Sequence, residues 1–175
     1  MNFKEPVDLF DENRAPLGKI AERRGERVKG EYQSIVHICM FNSRGQLLIQ
    51  KRSREKKTWA ELWDVSAAGG VDAGESSRQA AQRECWEELG YCPDLSDKRP
   101  AITLHIPRGF DDFYIVNCDV SEEALTLQPE EVTAVRWATK EDVLELLNKQ
   151  EFVPYQPAFI ELLFSVCGGD PVIKR

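Results

Sequence analysis

The chain has 175 residues, 42% of them hydrophobic and 30% charged, with a formal net charge of −7. That balance suits one compact domain with its own core. It argues against a nucleic-acid duplex as partner, because backbone-binding proteins present a basic face, but it leaves an anionic small molecule open, since a bound cation inverts the local charge.

The first stretch, MNFKEPVDLFDENR, is too acidic and too weakly apolar for a signal peptide. No apolar run approaches the roughly 20 residues of a membrane span. Cys39, Cys85, Cys92, Cys118 and Cys167 are scattered and form no CxxC pair, so neither a zinc site nor a disulfide framework is expected. Reduced thiols fit a cytoplasmic protein with no membrane partner.

Residues 1–30 read as an N-terminal strand pair with an extension: VDLF, a polar turn at 11–14, a second extended segment, then a charged and solvated run at 23–29. Residues 31–175 read as the core of the same single domain. In it, SIVHICMFNSRGQLLIQKRS predicts a hairpin turning at 42–45. KKTWAELWDVSAAGG reads as a loop entering a short strand at 63–67. A helix follows over 76–89, with Ser76 or Ser77 as N-cap and Gly90 as the C′ glycine. PAITLHIP and DDFYIVNCDV read as strands around a turn at 108–109, and VTAVRWAT as another. KEDVLELLNKQ predicts a helix with Val143, Leu144 and Leu147 on one stripe. The last helix is PAFIELLFSVCGG, with Pro157 near its start and Gly168 past its end. This mixed order of strands and helices makes one layered α/β (α+β) domain.

The segment GGVDAGESSRQAAQRECWEELG, residues 69–90, carries the chemistry. At about 100° per residue, Glu84, Glu87 and Glu88 share about 100° of arc. Ala81, Cys85 and Leu89 form an apolar stripe beside it. Like charges so spaced repel on a bare helix. A solvated face with Arg83 pairing Glu87 is the plain reading, but one arginine cannot neutralise three carboxylates. A hard divalent cation with oxygen ligands would relieve the repulsion and attract substrate phosphates. The glycines Gly69, Gly70 and Gly74 are expected to make tight turns with φ > 0, bringing backbone groups to a metal or a phosphate.

The spacing Gly69, five residues, Glu75, seven residues, Arg83-Glu84, then Glu87-Glu88 and Gly90 resembles the full Nudix hydrolase signature, G-x5-E-x7-R-E-U-x-E-E-x-G-U, with U a bulky aliphatic. Every fixed letter is present. Cys85 and Tyr91 depart from it at two packing positions. The resemblance implies an α/β/α sandwich around a central mixed sheet, Mg2+ (with Mn2+ as the alternative) as cofactor, and cleavage of a diphosphate linked to another group, often a nucleoside. By the same resemblance Glu87 and Glu88 ligate metal, Glu84 ligates metal or orients the attacking water as base, the Ala68 carbonyl is a further ligand, and Glu75 pairs with Arg83 to hold the loop on the helix. Such a metal lowers the pKa of a bound water and a carboxylate takes its proton.

VDLFDENRAPLG, FNSRGQLLIQKRS and WDVSAAGGVDAGES are similar to the Nudix subgroup related to isopentenyl-diphosphate isomerase. There the isomerase cysteine matches Ala68, its histidine matches Gly70, and a metal-binding histidine falls on Gln33. Without the thiol the isomerase chemistry lacks its acid–base partner, and the complete box favours hydrolysis. A non-catalytic ligand sensor is the third reading; such proteins lose box glutamates, and this chain keeps all of them.

Lys51, Arg52, Arg54, Lys56 and Lys57 make a basic cluster, a candidate phosphate clamp with Arg52 favoured for its bidentate guanidinium. Lys56, Lys57, Gly69 and Gly70 complete the expected substrate-binding set. Asp111 and Asp112 sit at a strand start as a further metal ligand or a turn cap. Glu130 and Glu131 are auxiliary candidates, one as a base, with a solvated turn as the plain reading. Trp59 or Trp63 could stack on a base or cover an apolar tail, with loop packing as the plain reading. His37 reads as a satisfied core histidine, and His105 lies on a strand that could line the cleft. The N-terminal strand pair could also serve in a homodimer.

Overall fold

The computed structural model describes residues 4–167. Two sheets organise them. Strands β1 (Pro6–Phe10) and β2 (Pro16–Glu22) form an antiparallel hairpin of their own. The main sheet holds β3 (Gln33–Phe41), β4 (Leu47–Arg52), β5 (Trp63–Asp64), β6 (Ala67–Gly70), β7 (Ile102–Ile106), β8 (Gly109–Asn117) and β9 (Val132–Ala138). It is mixed: β3 pairs β8 in parallel and β6 antiparallel, while β4 pairs β9 and β5 antiparallel.

The expected hairpin at 34–53 survives only at its turn. Strands β3 and β4 share a single register pair, Phe41 with Leu47. Past it they part, and each finds distant partners. Both are apolar on both faces, which marks central strands rather than a free ribbon.

Helix α1 (Ser77–Leu89) covers one face of the sheet, and α2 (Lys140–Asn148) with α3 (Pro157–Val166) covers the other. Alternate β3 residues serve the two layers. Val36, Ile38 and Met40 pack with Ala81, Cys85 and Leu89 of α1. Cys39 and Phe41 pack with Val143, Ile160 and Leu163. The result is the α/β/α sandwich around a mixed sheet. On α2 the fully covered pair is Val143 and Leu146, with Leu144 and Leu147 packed partly against them. Gly168, expected past α3, lies outside the described residues. Among them, no helix is long and apolar enough to cross a membrane.

Helix α1 starts and stops where its sequence says. Ser76 and Gln79 close a capping box, and Gly90 takes the left-handed conformation, φ 64°, donating to Trp86 O.

The hairpin β1–β2 is bolted to the start of α1. Asp8 accepts from Gly74 N at 2.7 Å, and Pro6 O accepts from Ala73 N at 2.9 Å. Arg14 reaches from the hairpin turn to Asp112 on β8, whose carboxylate also accepts from Ser77, the first residue of α1, and from Thr103 on β7.

Candidate active site

The glutamates of α1 do not form a solvated face. Glu84 and Glu88 are buried at 8% and 3% exposure, and only Glu87 stands open. Helix α1 therefore presents two carboxylates to the sheet along with its apolar stripe. The space for them comes from β6. A Cβ at Gly69 would lie 2.0 Å from the Glu84 carboxyl carbon, so any side chain there would expel that carboxylate.

This corrects the expected role of the glycines. Among Gly69, Gly70 and Gly74, only Gly74 has a positive φ, 85°. Gly69 and Gly70 are strand residues of β6, where close approach, rather than a turn, demands glycine.

Arg83 sits among the acids. Its Nε and Nη2 donate to the two oxygens of Glu75 at 2.9 Å each, a bidentate pair, and Nη2 also donates to Gly70 O at 2.9 Å. Its Nη1 donates to Glu84 at 2.8 Å and Glu87 at 3.1 Å. The pairing of Arg83 with Glu87 is thus present, but it leaves Glu88 out. Glu88 Oε2 accepts from Gln50 at 3.0 Å and from the Ala68 amide at 3.2 Å, with Lys56 Nζ 4.0 Å from its other oxygen. These contacts do not offset burial beside Glu84, and burial pushes the Glu88 carboxyl up to about 7. Burial also raises Glu84 despite Arg83. The bidentate bond from Arg83 holds Glu75 below its ordinary range.

Among the described residues, no three acidic, histidine or cysteine side chains converge as a preformed metal cage. Arg83 holds one oxygen each of Glu84 and Glu87, and Gln50 with the Ala68 amide holds one of Glu88. The donor chemistry nonetheless fits a hard divalent cation: carboxylates on one helix, two of them buried and poorly compensated.

The basic cluster divides. Arg52 is not free to clamp a phosphate: it is buried, donating to Asp64 at 2.9 Å and to Thr58 O at 3.3 Å. Lys56 does reach the site, bridging Glu88 and Glu131; burial lowers its pKa. Glu131 is thereby brought to the carboxylates, while Glu130 and Lys57 are exposed. Asp112 is also corrected. It is fully buried, and although burial alone would raise its pKa, the bonds from Arg14, Ser77 and Thr103 hold it low. It fastens the hairpin, β7 and α1 together and has no oxygen left for a metal.

Two site residues escaped the sequence reading. Gln50 is an inward polar residue in an apolar strand, a signal open to reading, and it bonds Glu88. Arg23 came from a run read as solvated. Its guanidinium lies over Gly70, where a Cβ would come within 2.4 Å of Nε, and it donates to Asp72 at 2.6 Å. Only the docking of the hairpin places it there. Gln33 accepts from Arg27. His37 stacks on Phe113 at 4.3 Å, with Tyr155 Oη 3.4 Å from Nδ1, but its Nε2 has no hydrogen-bond partner. His105 packs edge-on to Phe110 in a small pocket apart from the α1 glutamates. Trp63 lies under Arg136, and Trp59 is exposed.

The NUDIX domain family model matches residues 31–163. An uncharacterized Nudix hydrolase of Listeria monocytogenes is 45% identical over 162 residues, covering 93% of this chain and 95% of the relative. An isopentenyl-diphosphate Delta-isomerase of Pectobacterium atrosepticum is 29% identical over 167 residues, covering 91% and 89%. In fold, the crystal structure of DR0079 from Deinococcus radiodurans matches with a TM-score of 0.74 at 23% identity, over 90% of this chain and 98% of that one. With its family model, its close relatives and the glutamate helix in register with the signature, the chain belongs to the Nudix hydrolase family.

Proposed function

We propose that this enzyme hydrolyses a diphosphate linkage in a small-molecule substrate, a nucleoside diphosphate derivative, by water attack on phosphorus with Mg2+ as cofactor, Mn2+ substituting. The family acts on diphosphate-containing substrates; the metal, the substrate and the residue roles are our reading. The observation that carries it is the pair of buried carboxylates, Glu84 and Glu88, seated against Gly69 and Ala68.

Glu84, Glu87 and Glu88 would hold the metal, with the Ala68 carbonyl as a further ligand. When bound, it supplies charge withdrawal from phosphate oxygens and a more acidic water. The chain's own groups do the rest. Glu84, seated on Gly69, orients the water and takes its proton. Arg83, fixed by Glu75, keeps the helix and β6 in register. Lys56 would face the substrate phosphates, with exposed Lys57 next to it in the chain and the Gly70 amide as a further donor, and Arg23 adds positive charge over Gly70. Glu131 sets Lys56. Most of the rate comes from such positioning and electrostatics.

Against the isomerase reading stand Ala68, which offers no thiol, and Gly70, whose side-chain space Arg23 takes. The free cysteines support a cytoplasmic location. Exposed Leu17 and Ile20 on β2 suit a homodimer contact.

Calorimetric titration of Mg2+ tests the metal assignment. Wild type should bind Mg2+, and Glu84→Gln and Glu87→Gln should each weaken it at least about tenfold, since losing even a residue that supports a ligand costs that much. Equal binding by all three proteins would remove the metal from this helix.

A further inference from the structure

The charged run at 23–29, expected to be solvated, is only partly so. With the turn between β7 and β8 it walls a cleft of about 650 Å3, where Arg24, Arg27, Lys29 and Arg108 stand beside Tyr32 and Pro107. Two carboxylates also line it, Glu26 and Glu31, and Glu31 is committed to Lys19 at 2.8 Å. Four cations against two acids reverse the balance of a chain whose net charge is −7. Among the described residues, none of the four cations forms an ion pair.

The arginines are built into the cleft rather than splayed into solvent. Arg27 Nη2 donates to Glu22 O at 2.9 Å, to Arg23 O at 3.2 Å and to Gln33. Its Nη1 donates to Gly25 O at 3.3 Å and Glu26 O at 3.2 Å. Arg108 Nη2 donates to the same Gly25 oxygen at 2.9 Å. Two guanidiniums thus meet on one neutral carbonyl. Arg27 Nε is buried and, among the described residues, has no hydrogen-bond partner. Burial, and then the Arg108 charge, lower the Arg27 pKa. Like charges so placed repel. An anion bound there offsets the repulsion and takes the open donor.

The cleft adjoins the carboxylates of α1. Arg27 hangs on the Arg23 carbonyl, and the Arg23 guanidinium lies over Gly70. Burial raises Glu84, with Arg83 and then Arg23 opposing it. Burial lowers Lys56, and the Arg24 charge acts in the same direction. Arg24 is therefore within electrostatic reach of Lys56, whose Nζ is 4.0 Å from Glu88. Lys56, Arg24, Arg27 and Arg108 make a positive track from the carboxylates into the cleft, and such a track draws a polyanionic ligand along it.

We propose that this cleft holds a phosphate group that the substrate carries outside the scissile diphosphate, bound by Arg27, Arg108 and Lys29. The proposal rests on the diphosphate hydrolysis argued above and adds a second anionic group to the substrate. A phosphate monoester offers three acceptor oxygens, enough for donors from two arginines and a lysine. A planar carboxylate suits a single guanidinium fork. A volume of about 650 Å3 exceeds what one free ion fills and suits a phosphate attached to a larger polar group.

The test has two arms. In the first, inorganic phosphate is titrated into the protein in Mg2+ and saturating methylenediphosphonate, and backbone amide NMR shifts are read. Saturable shifts should gather at residues 24–31 and 108. Arg108→Ala should weaken them at least about tenfold, the scale of one lost hydrogen bond to a charged group. Arg44→Ala, which removes a positive charge elsewhere, should leave them unchanged. Both side chains are exposed, so neither change should unfold the chain. In the second arm, KM is compared for ADP and ADP-ribose, each with and without a phosphate on the adenosine 2′ or 3′ hydroxyl. At least one phosphorylated member should show a KM lower by about tenfold or more, and Arg108→Ala should erase that gain with kcat kept. The proposal is overturned if residues 24–31 do not shift, or if Arg44→Ala weakens binding as much as Arg108→Ala. Phosphate binding with no KM gain in any pair, or a gain that survives Arg108→Ala, also overturns it and leaves the cleft to a free ion. If no diphosphate is turned over, the hydrolase reading falls, and the phosphate titration alone decides whether the cleft is an oxyanion site.

Discussion

Glu88 is buried against the sheet with a lysine 4.0 Å away and a glutamate beside it. Its folded-state pKa, pushed up to about 7, exceeds that of an ordinary carboxyl. Between those values the native protein binds more protons than the unfolded chain, so its contribution to stability falls as pH rises through roughly 4.5 to 7. In metal-free protein, Glu88→Gln should therefore be more stable than wild type at pH 8, on the order of 3 kcal/mol, and the difference should vanish near pH 4. Denaturant melts at both pH values measure it. Saturating Mg2+ should narrow the gap at pH 8 by stabilising wild type alone.

Gly69 allows a second single-residue test. Adding one methyl there places carbon 2.0 Å from the Glu84 carboxyl, so Gly69→Ala should displace that group. Turnover should fall at least about a hundredfold, the scale of a misplaced catalytic group, while the thermal midpoint, read by calorimetry, moves only a few degrees. Sequence spacing located Glu84, Glu87 and Glu88, but not which of them is buried. Helical periodicity gives the angle of a side chain around its own axis. It does not report that the neighbouring strand carries glycine where a side chain would stand.

Among the elements, α1 was the most legible. Ser76, Gln79 and Gly90 are local signals, and their capping bonds close within the helix's own ends. Ser76→Ala should cost about 1 kcal/mol in denaturant unfolding. The strands at 33–52 were the least legible. Their apolar runs were evident, but a tight turn between two such runs reads as a ribbon, and partner choice is non-local. Strands β6, β8 and β9, from 15 or more residues further along the chain, outcompete the hairpin for all but Phe41 and Leu47. Arg52 follows from the same cause: pairing of β4 with β5 sets it beside Asp64. Proximity in sequence grouped it with Lys56, and tertiary pairing separated them.

At the scale of the whole molecule, the N-terminal hairpin is a clamp. It touches the loop before α1 through Asp8 and Pro6, the glycine strand through Arg23, and the sheet through Arg14 and Asp112. Breaking the Arg14 pair leaves Asp112 buried without its countercharge. Arg14→Met should destabilise by about 2 kcal/mol in denaturant unfolding, less than a fully buried pair because the guanidinium is a third exposed and Ser77 and Thr103 still donate to Asp112, and should loosen α1 at Ser77 as well. A hairpin that merely decorates the domain would lose far less. The two charges lie 98 positions apart in the chain, which is why no local pattern announced the contact.

The carboxylate face of α1 is the centre of the account, and phosphorus NMR of a diphosphate panel in Mg2+ tests it most directly. The panel holds nucleoside diphosphates and triphosphates, nucleotide sugars, dinucleotides and isopentenyl diphosphate, with Glu84→Gln and Glu87→Gln beside wild type. New monophosphate resonances from at least one nucleoside compound, reduced by at least about a hundredfold in both variants, are the predicted result. Isopentenyl diphosphate rearranged with its diphosphate intact, or a panel left whole by wild type, would contradict it.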